Sequence, residues 1–458
     1  MQLTTDVTGT TRRNVIGTRF WLCCVLVFMG FLAVPCGLIA RNDSAALNEP
    51  LDGNSFVVRN VRVFDGERVF ERVNVVVRAG RIISVGRSKP PAGLPVVDGS
   101  GRTLLPGFID AHAHVLSEGA LRNALRFGVT TQLDMFTKVD FMQAHRAQRE
   151  LLTQTDLSDL YSAGAPVTSA GGMGTQFGIP FPTIKGPEEA SAFVRARVAE
   201  GSDYIKLIYE PEAGIVTTIS SETLAAVVAA AHAQGKLAVV HITSLKGARA
   251  AIAAGADGLA HLFGDELIDD ALVRKMAARG MFVTPTLSLF AAISGAGLGP
   301  ELAADPHISP LLTAAQRASL TTPPPGKGGP MASYLSRFNI KTASENVRRL
   351  RAAGVRILAG DDVPNLGTHG VSMHGELQLL TQAGLTTAEA LKAATSNPAK
   401  VFKLTDRGRI VPGARADLVL LDGNPLTDIK ATRAILQVFK NGYDVRRTPA
   451  ETSQPPTP

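Results

Sequence analysis

The stretch GFIDAHAHV, Gly107–Val115, places two histidines one residue apart within an apolar run that is typical of a β-strand. Alternate residues of a strand point to the same face, so His112 and His114 face the same way. A single strand histidine is usually a hydrogen-bonded core or rim residue, whereas two adjacent imidazoles favour a metal site. The stretch therefore predicts a strand that carries part of a metal centre, if further ligands lie elsewhere in the chain.

The region from Gly107 to about Lys403 alternates short apolar strands with helical stretches that have polar starts and glycine stops. Eight strand–helix units predict an α/β fold of the (β/α)8 TIM-barrel type rather than a doubly wound sheet. A Gly/Pro-rich insert from Ala291 to about Tyr334 follows the seventh strand, and we expect an irregular lid or rim there. The candidate strands are FIDAHAHV, VTTQLDMF, LYSAGAPV, YIKLIY, LAVVHI, GLAHLF, FVTPTL and VRILAGDD.

Short strands also flank the barrel region on both sides. Alternating Val and Ile residues between Ser55 and about Leu105, and the same texture from Ala416 to Val445, predict a small composite β-sandwich. The expected boundaries are 1–40 for a signal peptide or membrane anchor, 54–105 and 406–446 for the two parts of the sandwich, 106–405 for the barrel, and 447–458 for a disordered tail.

The first forty residues have the order of charged and apolar residues that an export signal requires. Arg12, Arg13 and Arg19 precede the apolar run FWLCCVLVFMGFLAVPCGLIA at 20–40. We expect a periplasmic or secreted protein after cleavage of this segment. The apolar run also has about the length that spans a bilayer, so an uncleaved membrane anchor at 20–40 is the alternative.

Composition restricts the chemistry further. The chain of 458 residues is 45% hydrophobic and 19% charged, as in a compact globular protein. Its formal net charge is +7, but Lys and Arg form no run longer than a pair, so we expect no nucleic-acid partner. Because Cys23, Cys24 and Cys36 all lie in the N-terminal segment, a cleaved product would need His, carboxylate or lysine-derived metal ligands.

Polar residues interrupt the apolar strands where a parallel barrel carries its chemistry, at the carboxyl ends of the strands. Lys206 lies between two apolar residues of YIKLIY, and a buried strand lysine needs a partner. That partner is either a neighbouring acid or carbon dioxide, which would form a carbamate able to bridge two metal ions. The candidate ligands are His112, His114, Lys206, His241, His261, and Asp361 or Asp362.

Three further residues are candidate substrate contacts. His369 and His374 follow strand 8 in the loop THGVSMHGE, where a surface position without a ligand is the alternative. Tyr209 lies three residues beyond Lys206 and is placed to support a substrate carbonyl oxygen, unless it is a buried structural tyrosine.

Several motifs occur in a fixed order along the chain: PGFIDAHAH, YIKL, the strands of His241 and His261, LAGDD, and the segment GLTTAEALKAATSNPAKVFKL with the following GRIVPGARADLVLLDGNPL. Together they resemble the metal-dependent amidohydrolase superfamily. Within it they are most similar to the imidazolonepropionase-related branch that includes Xaa-Pro dipeptidases. The resemblance covers nearly all of Ser55–Val445 and implies a (β/α)8 barrel, a composite β-sandwich and two divalent ions, most often zinc.

By matched position, the resemblance implies that His112, His114 and the strand-8 aspartate bind one ion, while His241 and His261 bind the other. Carboxylated Lys206 would bridge the two ions. The family commonly has Leu-Ala-Gly-Thr-Asp on strand 8, so LAGDD places the catalytic acid at Asp362 and an extra aspartate, Asp361, where threonine is usual. Which of the two acids acts is therefore open.

The implied mechanism is attack on the scissile carbonyl by a hydroxide that the two ions share, with Asp362 as general acid and base and no protein nucleophile. We expect an exported hydrolase of a carbon–nitrogen bond, acting on a small-molecule amide such as a dipeptide or an N-acyl amino acid. The alternatives are hydrolysis of a cyclic amide or lactam, deamination, and a non-catalytic amidohydrolase-like binding protein. We expect membrane contact only through an uncleaved N-terminal segment, and a homo-oligomer is compatible with the sequence.

Overall fold

The computed structural model describes residues 53–211, 214, 216–323, 334 and 336–448. The predicted signal peptide or anchor at 1–40 lies outside these residues, as does the predicted tail from residue 449 onward. No helix in the described part of the chain is long and apolar enough to cross a membrane.

The described residues alternate strands and helices through the middle of the chain and form strands alone at its two flanks. The strands are β1 Phe56–Phe64, β2 Val69–Arg78, β3 Arg81–Gly86, β4 Val96–Asp98, β5 Arg102–Pro106, β6 Phe108–Ala113, β7 Val129–Asp134, β8 Asp159–Ser162, β9 Ile205–Ile208, β10 Ala238–His241, β11 Gly258–Ala260, β12 Phe282–Thr284, β13 Arg356–Ile357, β14 Leu418–Asp422, β15 Ile435–Lys440 and β16 Tyr443–Asp444.

Most helices follow the strands of the middle region. They are α1 Glu118–Arg126, α2 Val139–Gln148, α3 Ala190–Glu200, α4 Ser221–Ala233, α5 Leu245–Ala254, α6 Asp270–Ala278, α7 Leu287–Ile293, α8 Gly299–Ala304, α9 Ala314–Thr321, α10 Ile340–Ala352, α11 Val371–Gln382, α12 Thr387–Ala393 and α13 Ser396–Val401. Short 3₁₀ turns occur at Thr175–Phe177, Pro187–Glu189, Ser309–Leu311 and Ile429–Arg433.

Strands β6 to β13 are parallel and form two hydrogen-bonded groups, β6-β7-β8 and β9-β10-β11-β12-β13. Backbone hydrogen bonds link the groups at one junction, from Asp203 N to Ser162 O at 2.8 Å and from Val167 N to Lys206 O at 2.8 Å. These bonds connect β8, through the segment that follows it, to β9.

The other junction closes the ring. Ala111 N, in β6, donates to Ala359 O at 2.8 Å, and Asp362 N donates to His112 O at 2.8 Å. The chain just after β13 therefore pairs with β6, the first strand. The eight strands form the predicted (β/α)8 barrel, and their carboxyl ends meet at one mouth.

Helix α4 illustrates how the sequence places a helix outside the barrel. The Ser220 hydroxyl caps the helix by accepting a hydrogen bond from Thr223 N at 3.1 Å. The apolar residues at i, i+3, i+4 and i+7 form one buried stripe, which consists of Leu224, Val227, Val228 and Ala231.

The insert between β12 and β13 differs from the irregular segment that the Gly/Pro content predicts. It contains α8, with Pro300 in its first turn, and α9, which begins with a capping box between Thr313 and Gln316. A proline at the start of α8 and a capping box at the start of α9 therefore favour helices within this Gly/Pro-rich segment. Tyr334, at the end of the predicted insert, lines the cavity at the mouth of the barrel.

The flanking strands form one sheet in the order β16-β15-β14-β5-β1-β2-β3, with β4 paired to β1. Phe56 of β1 and Phe439 of β15 stack with ring centroids 4.5 Å apart, although three strand spacings in a flat sheet would separate them by about 14 Å. The sheet therefore curls over a shared apolar core. Its β3 edge also meets the C-terminal flank, where Ile82 N donates to Ala414 O at 2.9 Å.

A buried ion network joins this sheet to the barrel. Lys440 Nζ lies 2.7 Å from Asp159 Oδ2 and 2.8 Å from Asp417 Oδ2. Arg407 Nε contacts the same Asp159 oxygen at 2.8 Å. Because Asp159 begins barrel strand β8 whereas Lys440 ends β15, the network fixes the sheet against the end of the barrel opposite the mouth.

Candidate metal centre

Two histidines and one aspartate converge at the end of β6. His112 Nε2 and His114 Nε2 lie 3.1 and 3.0 Å from the same oxygen, Asp362 Oδ1. Nevertheless, His112 Nε2 and Asp362 Oδ1 are buried without an aligned hydrogen-bond partner in the described part of the chain. Two ligand atoms about 2.1 Å from a common ion, at angles between octahedral and tetrahedral, lie about 3.0–3.4 Å apart. These three side chains can therefore hold one metal ion.

His241 and His261 lie beside this group, at the ends of β10 and β11. The centroid of the His261 ring is 4.5 Å from that of His112 and 4.5 Å from that of His241. His261 Nδ1 contacts Thr286 Oγ1 at 2.7 Å, which leaves Nε2 as its remaining ligand atom. The structure thus brings all four predicted histidine ligands to one mouth of the barrel.

Lys206 points into the same region from β9. Its residue is 3% exposed, and Nζ has no hydrogen-bond partner among the described residues. Burial lowers the pKa of the Lys206 ammonium to about 7, so a substantial fraction of the amine is neutral near neutral pH. The sequence left open a salt bridge between Lys206 and a neighbouring acid. Among the described residues, Lys206 forms no such salt bridge.

The backbone is strained at three strand ends around these ligands. His261, Thr286 and Asp362 have φ values of 69°, 52° and 58°, in the left-handed region that side chains with a Cβ disfavour. Each such residue costs on the order of 1–3 kcal/mol and persists only where its surroundings fix it. Two of these three residues are candidate ligands, and the third is the threonine that contacts one of them.

The two adjacent aspartates of LAGDD have different surroundings. Asp362 faces the histidines, whereas the Asp361 carboxyl lies near that of Asp110. Burial and the neighbouring Asp110 raise the pKa of Asp361 well above its usual range, and burial raises the pKa of Asp110 to about 7. Asp110 Oδ1 also accepts a hydrogen bond from His112 N at 3.0 Å. The structure therefore brings Asp362, and not Asp361, to the candidate ligands.

A cavity of about 480 Å³ opens above these ligands. Apolar side chains dominate its wall, and Lys206 is the only lysine or arginine among the described residues that line it. The apolar lining consists of Met135, Phe136, Met173, Phe177, Ile208, Leu289, Phe290, Ile293, Pro364, Leu366 and Phe338. A cavity of this size and polarity accommodates a small molecule with a large apolar group.

The sequence model of the amidohydrolase family matches residues 103–445. The chain belongs to the amidohydrolase family. It is accordingly a hydrolase that acts on carbon–nitrogen bonds. The histidines, the buried lysine and the aspartate at the strand ends of this amidohydrolase all lie within the matched region.

Curated relatives and solved structures agree with this assignment. The amidohydrolase is 27% identical to the imidazolonepropionase of Streptomyces griseus over 372 residues, which are 76% of this chain and 85% of that enzyme. It is 25% identical to the ochratoxinase of Aspergillus niger over 323 residues, 62% of this chain and 59% of that enzyme. A Xaa-Pro dipeptidase crystallised with bound methionine shares its fold, with a TM-score of 0.69 at 21% identity, over 86% of this chain and 100% of the other.

The solved A. niger ochratoxinase has a TM-score of 0.66 at 20% identity, over 85% of this chain and 94% of the other. The predicted resemblance to the branch of imidazolonepropionases and Xaa-Pro dipeptidases is confirmed by these matches. The fold class, a barrel with an additional small domain, is confirmed as well.

The amidohydrolase also has site residues that the sequence did not single out. Glu210 Oε1 lies 3.0 Å from His241 Nε2, and the Thr243 hydroxyl donates to Glu210 Oε2 at 2.6 Å. The Tyr334 hydroxyl in turn lies 2.9 Å from Thr243 Oγ1. The sequence could have indicated Glu210. It lies two residues after the end of β9, and Lys206, Ile208 and Glu210 occupy every second position, so alternation places Glu210 on the same face as Lys206.

Three predicted substrate contacts do not line the cavity. His369 Nδ1 contacts Gln132 Oε1 at 2.8 Å, and burial lowers the His369 pKa to about 4. His374 is buried with Nδ1 3.1 Å from Thr432 Oγ1 and Nε2 3.1 Å from Phe127 O. Tyr209 packs in the main hydrophobic core of the amidohydrolase. The structure therefore gives these three residues partners in the interior, away from the cavity wall.

Proposed function

We propose that this amidohydrolase cleaves the amide bond of a small molecule that carries a large apolar group beside the scissile bond. Dipeptides and N-acyl amino acids with aromatic or large aliphatic side chains are the substrates that we favour. The observation that carries the proposal is the lining of the cavity, in which His114 and Asp362 lie together with a largely apolar wall.

The donor set fits two divalent ions, with zinc as the expected metal. His112 Nε2, Asp362 Oδ1 and Lys206 Nζ are buried polar atoms without an aligned partner among the described residues, and bound metal ions would satisfy them. We propose that His112, His114 and Asp362 hold one ion and that His241 and His261 hold the other, with a carbamate on Lys206 between them. Two bound ions would polarise the scissile carbonyl and lower the pKa of water.

Asp362 is placed to move the proton during hydrolysis. Burial alone would raise its pKa, but the nearby His112 and His261 hold the pKa of this carboxyl well below its usual range. The carboxylate is therefore ionised at neutral pH. Its second oxygen, Oδ2, accepts a hydrogen bond from Asn365 Nδ2 at 3.2 Å, which fixes the direction of Oδ1 toward the histidines. As general base, this carboxylate would take the proton that the attacking water loses, and as general acid it would pass that same proton to the departing nitrogen.

The aromatic wall selects the substrate. Phe290 contributes a buried ring to the cavity, while Phe177 is 56% exposed and leaves room for an incoming group to cover it. Burying one aromatic side chain provides about 1.5–3 kcal/mol, which corresponds to a preference of roughly 10- to 150-fold in kcat/KM. Asn365 and Gln176 are neutral polar groups on the same wall that are available to orient the amide.

A substrate panel tests this proposal. The chain, purified from cells that express it in full, is assayed after zinc loading with dipeptides and N-acetyl amino acids of Phe, Leu, Gly, Asp and Lys, with cyclic amides and with adenine. We expect amide hydrolysis with at least a tenfold preference for Phe over Gly. Equal rates on Phe and Gly, or turnover of the cyclic amides or adenine alone, would contradict the assignment.

We further propose export of the protein, on the basis of Arg12, Arg13 and Arg19 followed by the apolar run at 20–40. Cell fractionation of a producing strain, with N-terminal sequencing of the accumulated protein, tests this. A mature N-terminus shortly after residue 40 in the soluble exported fraction is the expected result. An intact N-terminus in the membrane fraction would instead indicate an anchor.

A further inference from the structure

Glu210 is a buried carboxylate that the ligand set proposed above leaves without a role. The residue is 3% exposed, and Oε1 lies 3.0 Å from His241 Nε2. An imidazole N–H that donated to this oxygen would form an aligned hydrogen bond at such a distance. Instead, both atoms are buried without an aligned partner among the described residues.

The contact has the same spacing as the one between His114 and Asp362, which are 3.0 Å apart at the first ion position. A nitrogen and an oxygen ligand on one ion lie about 3.0–3.4 Å apart, because each is about 2.1 Å from the metal. Both pairs have the spacing of two ligands on one ion, and in neither does the oxygen have an aligned hydrogen bond among the described residues. Desolvated carboxylate oxygens are retained inside proteins when they are paired or bind a metal.

Supporting contacts fix the direction of the free oxygen. The Thr243 hydroxyl donates to Glu210 Oε2 at 2.6 Å, and the Tyr334 hydroxyl lies 2.9 Å from Thr243 Oγ1. Ligating carboxylates are typically held in this way, with one oxygen hydrogen-bonded and the other directed at the metal. Asp362, held by Asn365 through its own second oxygen, has the same arrangement.

We propose that Glu210 Oε1 is a ligand of the ion held by His241, so that the second metal position has a protein carboxylate in addition to Lys206. The proposal rests on the two-ion centre of the proposed function. It has a specific consequence, because a second ion would then bind even when Lys206 cannot be carboxylated. Glu210 and His241, 3.0 Å apart, would keep it bound with lower affinity.

Zinc binding to the full chain tests the proposal without any activity measurement. Wild type, Glu210→Gln, Lys206→Met and the double variant are titrated against a competing chelator, and metal per chain is determined by atomic absorption. We expect two ions in wild type, a second-ion affinity reduced at least about tenfold in Glu210→Gln, a retained but weakened second ion in Lys206→Met, and a single ion in the double variant. Glu222→Gln, at an exposed position in α4, is the matched control and should behave as wild type.

Cobalt substitution provides a second readout, since a change of ligand at the second position alters the absorption spectrum of bound Co²⁺. Glu210→Asp, which keeps the charge but shortens the side chain, serves if Glu210→Gln does not fold, and the same loss is expected. Wild-type affinity for both ions in Glu210→Gln, with an unchanged cobalt spectrum, overturns the proposal while leaving the two-ion centre intact. A wild-type chain that binds only one ion overturns both.

Discussion

Replacing Lys440 by methionine tests the ion network between the sheet and the barrel. The ammonium is fully buried and contacts Asp159 at 2.7 Å and Asp417 at 2.8 Å. Removing one partner of a buried ion pair typically destabilises a protein by about 3–5 kcal/mol, because the remaining charge is left desolvated. Asp159 retains Arg407, so one carboxylate rather than two loses its counter-ion. We therefore expect a loss of about 3 kcal/mol in the free energy of unfolding.

Urea denaturation followed by circular dichroism measures this loss. The matched control is Lys430→Met. The Lys430 ammonium forms an ion pair with Glu301 at 2.9 Å, and half of the lysine side chain is exposed. Exposed pairs contribute roughly 0–1 kcal/mol, so the control should shift the midpoint little. A Lys440→Met variant no less stable than the control would refute the reasoning, because the network would then contribute nothing beyond an exposed pair.

Three further predictions concern the site and the response to acid. Asp362→Asn should lose about one bound ion and reduce kcat at least a hundredfold. Asp361→Asn should keep both ions, because the Asp361 carboxyl lies near Asp110 and not among the candidate ligands. Metal analysis and initial rates check both variants. Phe177→Ala should raise KM for aromatic substrates roughly tenfold without changing thermal stability, because this ring lies in the cavity wall and is 56% exposed. Leu267→Ala, at another exposed position, is the control. An unchanged KM in Phe177→Ala would contradict the role of the aromatic wall. Burial alone would raise the pKa of Asp159, but Lys440 and Arg407 lower it below its usual value, so its contribution to stability is present above the ordinary carboxyl pKa near 4 and is lost as the pH falls further. The urea midpoint should therefore decrease more between pH 6 and pH 3 for wild type than for Lys440→Met. An equal decrease in the two proteins would contradict this pH dependence.

The barrel was predictable because each of its strands is a short apolar run and each polar interruption lies at a strand end. His112 lies in β6 and His114 directly follows its last residue, Ala113, so alternation at every second residue still places both on one face. His241 and His261 occupy equivalent ends of adjacent strands, which the spacing of one strand–helix–strand unit indicates. Local periodicity thus determines this part of the site.

Other parts depend on geometry that periodicity does not encode. Asp361 and Asp362 follow β13 in an irregular segment, and Asp362 has a φ of 58°, so the alternation rule could not assign either residue to a face. The contact between Thr243 and Tyr334 joins residues 91 positions apart and is determined by the path of the long insert. His374 is polar and follows a glycine-containing loop, yet both of its ring nitrogens bind partners in the interior.

The pairing of β5 with β14 restricts when the small sheet can form. The hydrogen bond from the Thr103 hydroxyl to Gly423 O closes a loop of 320 residues, and among the described residues β14 alone pairs with this edge of β5. A chain emerging from the ribosome therefore exposes the edge of β5 through the synthesis of the whole barrel. Such late long-range pairing slows folding and leaves an open strand edge available to other chains. Truncation before residue 418 would make that exposure permanent and should convert the protein into an aggregating species.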